Sequence, residues 1–487
     1  PTIDLTNESL IRNHLHSTWL SAARPELATV VSKILDLSKE GYPVLEEIST
    51  LLNSKGTTEK AIEEGNKLLL PMKELIENEP WFNEHYVENV MSHAYEEFDK
   101  ALDGWRNLYD ATRNQIRLAY ERIMTPGCSQ REIEIANKRY DSATQQLKVL
   151  QSPSSSNSEF YVYRYLASQG FLPGYNFPAL PMIAWIPEDG IEGTEQTMLS
   201  RARFLGITEF GPRNLIYHKG KIYRIERLKL NIQKSSVTSE KNLPTQTVAV
   251  CPHCGFAHPC QTNTIYNSCE NCGASLQQED YIQGLFQVSM VETREVERIS
   301  IEDENRRSQG FEMQTVYRFA KGIDGKAIST KLDFKQNGET LAKLTYAPAA
   351  SVQRVNLGWR YRTNQKTKGF LINPLTGYWD KSGPDSVEQE ETAADKEESK
   401  GFTQTIVPFV EDKRNILLVE PQAFKKEILE SEEAMATIQS ALKQAIERLY
   451  QIESSEIFVE PLPSTANRKM LLIYEAGEGG AGVLRNI

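Results

Sequence analysis

Two cysteine pairs constrain this chain more than any other feature of its sequence. The pairs are Cys251-Pro-His-Cys254 and Cys269-Glu-Asn-Cys272, with fourteen residues between them. Each pair is followed by a glycine, Gly255 or Gly273, which permits the sharp turn that points backbone amides at the sulfurs. Four thiolates at this spacing can close on one tetrahedral zinc ion, and a four-sulfur set leaves no position for water. We therefore predict one structural zinc ion rather than a catalytic metal.

Other interpretations of the cysteines stay open at this level. Two reduced pairs or a disulfide would use the same residues, although five of the six cysteines fall within twenty-two residues. Cys260, His253 and His258 lie between the pairs and could each replace one ligand. Outside the cluster only Cys128 remains, and such low usage is typical of a reducing cytoplasm, where thiols bind metals rather than pair.

Length and charge limit the class of protein. A chain of 487 residues can form about three domains, each with its own core. No segment approaches the roughly twenty consecutive apolar residues of a membrane crossing, and the N-terminus lacks a secretory signal. We expect a soluble, cytoplasmic protein without a membrane partner, and, because a helical pattern starts directly after Pro1, a fragment of a longer one. The net charge of −11 disfavours non-specific coating of nucleic acid but permits a local basic track.

The hydrophobic pattern predicts an α+β multidomain fold. Apolar residues at three- and four-residue steps from Val87 predict one long amphipathic helix through about Met124. A capping box, Ser129 with Glu132, predicts a second long helix to about residue 150, so that the two pair as an antiparallel hairpin. The N-terminal part is therefore predicted to be a helical bundle or a long helical hairpin. The predicted parts are a helical domain (1–150), a serine-rich linker (151–159), a β-rich domain with a basic track (160–250), an inserted zinc module (251–276), a β-rich continuation (277–384), an acidic mobile insertion (385–400) and a C-terminal α/β element (401–487).

Two further motifs concern the backbone. His218-Lys-Gly-Lys221 separates two alternating segments and predicts a β-hairpin turn that uses Gly220. The segment from Gly477 to Gly482 formally fits the dinucleotide pattern, but too few residues follow it for the helix and acidic residue which that site needs. A tight backbone approach to a neighbouring element or to a nucleic-acid strand explains these glycines better. Phosphate-loop, kinase, serine-hydrolase and zinc-protease motifs are absent from the sequence, so it shows no catalytic machinery.

Two basic tracks interrupt the acidic composition. Residues 201–229 carry eight basic and two acidic side chains, with Tyr217 and Tyr223 among them. A second stretch, 354–368, has basic residues beside Trp359 and no acidic residue. Positive charge with interleaved aromatic rings suits phosphate binding and base stacking, whereas lysine and arginine on solvated edge strands give the same composition. The candidate nucleic-acid contacts are Arg201, Arg203, Arg213, Lys219, Arg224, Lys229, Arg360 and Arg362.

From about residue 160 onward the chain resembles the zinc-binding C-terminal region of bacterial superfamily 2 helicases. These include the Mrf repair type and the large helicases of DISARM-type and Druantia-type anti-phage defence systems. The similar segments, which occur in the same order as in that region, are Arg203-Phe-Leu-Gly-Ile-Thr-Glu-Phe-Gly-Pro212, Ile216-Tyr-His-Lys-Gly-Lys-Ile-Tyr223, the two cysteine pairs, Asp412-Lys-Arg-Asn-Ile-Leu417 and Tyr474-Glu-Ala-Gly-Glu-Gly-Gly-Ala-Gly482. The stretch Asp4-Leu-Thr-Asn-Glu-Ser-Leu10 looks like the part entered after the second motor domain of such a helicase.

The resemblance implies the non-motor half of an ATP-dependent DNA translocase. Its ATP would bind only at motor domains outside this chain, in cis or on a partner. Single-stranded DNA is the implied ligand, with Arg203, Arg213 and Arg224 in the similar segments. Other defence-system subunits are implied partners. The competing hypothesis is a protein-protein scaffold, in which the long helices and the acidic insertion recruit partners and the basic tracks face solvent.

Overall fold

A computed structural model describes residues 4–151, 160–174, 180–187, 197–230, 243–260, 264–296, 310–322, 325–380 except 361, 363, 365, 366 and 375, and 403–487 except 478, 479 and 481. The predicted linker, apart from residue 151, and all of the predicted acidic insertion lie outside these residues. The fold is α+β and multidomain, with helices first and two sheets after them, as predicted. The individual domain boundaries stay predictions.

The N-terminal part is helical. Its α-helices are α1 (Glu8–Ala23), α2 (Glu46–Leu52), α3 (Lys55–Leu69), α4 (Lys73–Ile76), α5 (Tyr86–Ala101), α6 (Asp103–Met124), α7 (Gln130–Gln151) and α8 (Val162–Ser168). Asn7 caps α1 by accepting a hydrogen bond from the Leu10 N–H at 3.1 Å. These helices enclose one buried apolar cluster, which includes Trp19, Phe98 and Trp105.

The single long helix predicted through Met124 is wrong, because the chain breaks it at Leu102. The buried Arg106 guanidinium donates to the Asp99 carbonyl at 2.8 Å and to the Asp99 carboxylate at 2.6 Å. Arg106 thereby supplies a donor to a carbonyl at the end of α5, as a C-terminal cap does. Since Phe98, Leu102 and Trp105 are all fully buried across the break, the apolar pattern continues through it and conceals it in the sequence.

The predicted antiparallel hairpin of two long helices is confirmed for α6 and α7. Tyr109, near the start of α6, accepts a hydrogen bond from the last residue of α7, Gln151, at 3.1 Å. At the other end Ser129 and Glu132 form the predicted capping box, with the Ser129 N–H 2.7 Å from the Glu132 carboxylate and the Glu132 N–H 3.3 Å from the Ser129 hydroxyl.

The remaining elements are mostly strands. They are β1 (Met182–Ile186), β2 (Thr197–Arg201), α9 (Arg203–Glu209), β3 (Leu215–His218), β4 (Lys221–Leu228), β5 (Gln246–Val250), β6 (Ala257–Cys260), β7 (Tyr281–Gln287), β8 (Met290–Val296), β9 (Phe311–Arg318), β10 (Thr330–Gln336), β11 (Glu339–Trp359), β12 (Phe370–Ile372), β13 (Gln404–Pro421), α10 (Lys426–Leu429), α11 (Glu432–Tyr450), β14 (Ile457–Pro463), β15 (Arg468–Glu475) and α12 (Val483–Asn486). The predicted turn joins β3 to β4, with Lys219 and Gly220 both at positive φ.

Two sheets organise these strands. The first has the order β2-β1-β8-β4-β3 and is antiparallel except where β1 and β8 run parallel. The second follows β10-β11-β13-β7-β5-β6, with β9 on β11, β12 on β13, and β15 between β13 and β14. One buried cluster extends from Met182 to Tyr474 and contains Cys251, Cys254 and Cys269. The cysteine region is therefore part of the shared core of the β-rich half.

The helical part contacts the C-terminal end of the β-rich half. The Asp4 N–H donates to the Gly480 carbonyl at 3.2 Å, and Arg485 of α12 forms an ion pair with Glu79 at 2.6 Å. In the described ranges, no helix is both long enough and apolar enough to cross a bilayer.

Candidate metal centre and nucleic-acid interface

The four predicted cysteines converge on one point. The sulfur of Cys251 lies 3.5 Å from that of Cys272, and Cys254 lies 3.7 Å from Cys269. All four Sγ atoms lie within 4.8 Å of one another. In a tetrahedral site with Zn–S bonds of about 2.3 Å the sulfurs stand about 3.8 Å apart, so the observed set has the dimensions that a zinc ion needs.

Each cysteine pair forms the same backbone turn. The N–H groups of His253 and Asn271 donate to Cys251 and Cys269 Sγ, both at 3.4 Å. Gly255 and Gly273 follow at φ of 73° and 75°, where a side chain would strain the backbone. The predicted role of both glycines is confirmed. The two cysteine turns are equivalent, which indicates that each forms half of a single binding site. In both, the amide donor stabilises a thiolate ligand.

The other proposed ligands face elsewhere. His258 is buried, with Nδ1 3.2 Å from the Ala249 carbonyl and Nε2 accepting from the Glu270 N–H at 3.1 Å. Cys260 directs its Sγ to the His258 carbonyl at 3.5 Å, and His253 is exposed. Among the described residues the cluster that can hold a metal contains the four predicted cysteines and none of these three.

A second layer of side chains surrounds the sulfurs. Asn271 Nδ2 lies 3.7 Å from Cys254 Sγ and donates to the Tyr317 hydroxyl at 3.1 Å. Proximity to Cys251 and Cys269, together with burial, raises the pKa of the Cys254 thiol far above its usual range. Four adjacent thiolates repel one another unless a cation neutralises them. The donor set therefore fits a divalent, thiophilic metal.

The first basic track lies on an exposed sheet face. Arg224 of β4 is paired across the strands with Arg294 of β8, and the two neighbours of Arg224 in sequence, Tyr223 and Ile225, are buried. Tyr217 of β3, about half exposed, lies on the same side. Like charges directly opposite each other repel. The face therefore combines two adjacent arginines with an accessible aromatic ring.

Some residues of this track already have acidic partners. Arg201 pairs with Glu209 at 2.9 Å, and Lys221 pairs with Glu295 at 2.9 Å. Arg294 also contacts Glu226 at 2.9 Å. The remaining predicted residues of the β3–β4 region, Arg213 and Lys219, lie at the two ends of β3, half-buried and exposed respectively. The charge excess counted along the sequence is therefore partly neutralised within the fold.

The second track meets the first at Phe311. Gly211 packs so closely on the Phe311 ring that a Cβ would not fit, which places Arg213 near the start of β9. The Phe311 ring contacts the Trp359 ring at a centroid distance of 4.8 Å, with the two planes tilted by 31°. The exposed Arg360 follows Trp359 and donates its N–H to the Gly310 carbonyl at 2.7 Å. Arg362 is mostly buried and pairs with Glu312 at 2.6 Å. The structure therefore brings the two tracks together.

Two predicted contact residues point inward and require correction. Lys229 is buried, with its ammonium 3.0 Å from Glu292 and 2.6 Å from Gln146. Arg203 is also buried and donates to the Glu411 carbonyl. Neither side chain reaches a surface on which a polyanion could lie, so we leave both out of the proposed interface. The sequence shows how many charges a segment carries but not which of them face the interior.

Sequence reasoning missed Arg294, which lies opposite Arg224 and is the more exposed of the two. The two residues are seventy positions apart and become neighbours only when β4 pairs with β8. The sequence places residue 294 in a predicted β-rich segment but does not show which strands pair. The signal that could have identified Arg294 is therefore the register of the sheet.

The glycine-rich segment serves the protein's own structure, at least in part. Gly480 lies against the Glu475 carboxylate with no room for a side chain. That buried carboxylate accepts from the N–H groups of Gly482 at 3.4 Å and Leu484 at 3.1 Å. Residues 478, 479 and 481 lie outside the described residues. A close backbone approach to a neighbouring element is one of the two explanations predicted for these glycines.

Strand β9 links the cysteine cluster to the basic surface. Its first residue, Phe311, lies where the two tracks meet, and Tyr317 contacts the cysteine cluster through Asn271. Phe256, two residues after Cys254, also forms a bridge to Tyr317. The two ends are six residues apart, which is about 20 Å along an extended strand. One continuous element therefore positions both sites.

No family model matches this sequence, and no curated protein matches it. A comparison with solved structures gives a match to the crystal structure of the DUF1998 helicase MrfA bound to DNA. The match has 10% sequence identity and a TM-score of 0.29, and it covers 72% of this chain and 36% of that chain. Similarity at this level does not by itself establish a common fold, and the chain spans little more than a third of the length of that helicase.

Proposed function

We propose that this chain is the non-motor, zinc-stabilised DNA-binding part of a superfamily 2 helicase or translocase. In this proposal the exposed face around Arg224, Arg294 and Tyr217 guides a single DNA strand from motor domains that lie outside the chain. The helicase or translocase would act in anti-phage defence or DNA repair, and its motor domains would bind ATP.

One observation carries the proposal, namely the cross-strand pair of Arg224 and Arg294 beside the exposed ring of Tyr217. Two guanidinium groups opposite each other concentrate positive charge on this face, although Arg294 is also paired with Glu226. A phosphate backbone would bind to this charge, and a nucleobase could stack on the tyrosine. We also assign the exposed Arg360 of the second track, which follows Trp359, to the DNA-binding surface.

Zinc has a structural role in this proposal. The four cysteines would hold the ion, and its chemistry would be charge neutralisation and cross-linking of two turns. The ion would fix Tyr317 and, through β9, the position of Phe311 beneath the basic surface. A closed four-sulfur set offers no open coordination position, so the ion takes no part in a reaction.

The direct test is binding of a fluorescent single-stranded oligonucleotide, measured by anisotropy over a series of salt concentrations. Charge reversal at Arg224, Arg294 and Arg360 should remove about three phosphate contacts. The slope of log K against log salt should then decrease by about 2, since each contact on a single strand contributes about 0.7. The matched control is Lys60→Glu on α3, an exposed lysine in the helical part. Unchanged affinity and slope in the triple variant would show that DNA does not bind at this face.

A scaffold remains the second candidate, and a specific observation favours it. Leu118, Tyr120 and Met124 on α6 are each about half exposed. Tyr120 and Met124, four residues apart, share one face of the helix, whereas Leu118 lies on another. Exposed large apolar side chains of this kind are typical of protein-binding surfaces. Partners that co-purify with the chain after nuclease treatment, and are lost with charged substitutions at these three positions, would support the scaffold. Partners that disappear with the nucleic acid would support the DNA-binding proposal.

A further inference from the structure

The outermost strand of the larger sheet is an exposed edge. Within the part of the chain that the structure describes, β10 pairs with β11 alone. All seven of its residues are exposed. An edge strand presents unpaired N–H and C=O groups, which form a template for another strand. The edge of β10 is therefore a candidate surface for strand addition.

One face of β10 continues the core of the C-terminal element. Leu332 and Phe334 lie opposite Leu344 and Ala342 of β11. These two β11 residues pack against the buried cluster beneath α11. The apolar face thus extends beyond that cluster to Leu332, 58% exposed, and Phe334, 54% exposed. Apolar groups on a solvated edge indicate a surface that is covered in an assembly.

The sequence of β10 is complementary to itself. If two copies of β10 pair antiparallel with Leu332 opposite Leu332, then Lys331 lies opposite Asp333 twice, and Thr330 lies opposite Phe334 twice. The pairs then join unlike charges, two leucines, or a β-branched residue and an aromatic ring, all of which stabilise antiparallel strands. We propose that β10 pairs in this register with β10 of a second copy of the chain, which forms a symmetric dimer with one continuous sheet.

Neighbouring registers are less favourable. Centring the pair on Asp333 places the two aspartates opposite each other and Lys331 opposite Lys335. A shift by a single residue places the apolar face of one copy beside the polar face of the other. The pairing of β10 with β11 is also regular only up to Phe334, because a register shift follows between Phe334 and Lys335. The Leu332-centred register uses residues 330–334, which is the regular part.

The predicted interface is small. A pairing of five residues per strand buries less than the roughly 1,200 Å² typical of stable complexes. We therefore expect dimerisation that depends on protein concentration, rather than a permanent dimer. Such an interface is sensitive to charge, since two of its cross-strand pairs per dimer are ionic.

The test is a charge exchange between two variants, followed by sedimentation velocity over a range of concentrations. Lys331→Asp places two aspartates opposite each other, and Asp333→Lys places two lysines opposite each other. Each variant alone should self-associate at least roughly tenfold more weakly than the native chain. A mixture of the two variants should form a heterodimer, and the double variant Lys331→Asp/Asp333→Lys should recover self-association. Thermal unfolding of each variant checks that the fold is intact.

The control is Lys55→Asp on α3, which makes the same charge change at an exposed lysine of the helical part. Its self-association should equal that of the native chain. A native chain that stays monomeric at all concentrations would overturn the proposal. Loss of association with Lys55→Asp, or failure of the two single variants to combine, would also overturn it.

Discussion

Lys229, directly after β4, and Glu292 of β8 form a buried ion pair of 3.0 Å, to which the helical hairpin binds through Gln146. Gln146 of α7 contacts both partners, at 2.6 Å from the ammonium and 3.3 Å from the carboxylate. Arg227 supplies a second cation to the same carboxylate. Buried charges are tolerated when each has partners. The residue expected to meet DNA is instead used to hold the two halves of the molecule together.

Removing the carboxylate should destabilise the protein strongly. In Glu292→Gln two buried cations lose their shared partner, and we expect a loss of about 3 kcal/mol or more in the free energy of unfolding. Glu295→Gln, three residues along β8, breaks only the exposed pair with Lys221 and should cost less than about 1 kcal/mol. Urea unfolding of both variants measures the difference. Equal effects would mean that the buried network adds nothing beyond a surface pair.

The Glu292 carboxylate should make the free energy of unfolding depend on pH in the acidic range. Burial raises the pKa of Glu292, but Arg227 and Lys229 outweigh it and lower the pKa to about 2. The unfolded chain has a value near 4.5, so the stabilisation is complete above that pH. It is lost as pH falls from about 4.5 toward 2, by about 3 kcal/mol in total. Unfolding curves of the native chain and of Glu292→Gln should converge over this interval.

His16 should add a second, separate acid transition. Burial lowers its pKa to about 4 despite the hydrogen bond to the Phe171 carbonyl. Between pH 6.5 and 4 the unfolded chain binds a proton that the folded chain does not, so stability falls as pH falls through this range. His16→Asn should be less stable at pH 7 but should show a flatter profile between pH 4 and 6.5. A native profile that is already flat there would contradict this prediction.

Loss of one thiolate should remove both the metal and much of the stability. Cys254→Ser should reduce zinc, measured by elemental analysis, from one ion per chain to far less. It should also lower the unfolding midpoint substantially, since metal binding and folding are coupled. Cys260→Ser is the control within the same segment and should keep its zinc. Full zinc occupancy in Cys254→Ser would show that the four sulfurs are not the ligands.

Tyr217 should contribute to nucleic-acid affinity without contributing charge. Tyr217→Ala should weaken binding of single-stranded DNA by about 1–3 kcal/mol through loss of stacking, while the salt dependence stays as in the native chain. Tyr163→Ala on α8 removes another exposed ring and should have no effect. A change in the salt slope with Tyr217→Ala would mean that the substitution disturbs the basic face itself.

Local features of this fold could be predicted because they depend on neighbours in sequence. The Ser129 cap, the Gly220 turn and the two cysteine turns each require a few adjacent residues, and the structure has all of them. Lys229 could not be placed, since its partners come from α7 and β8, more than sixty residues away in either direction. The break at Leu102 could not be predicted for another reason. The apolar face continues unchanged across it, while Arg106 donates to the Asp99 carbonyl at the end of α5.

Strand β9 couples the thiol cluster to the proposed DNA-binding surface. Paired with β11 from Met313 to Arg318, it holds Phe311 at a fixed distance from the sulfurs. Oxidants or chelators that attack the cysteines would loosen Tyr317 first, and the aromatic contact next to Arg360 would then shift. Under oxidative stress, a chain of this design would lose stability and ligand affinity together.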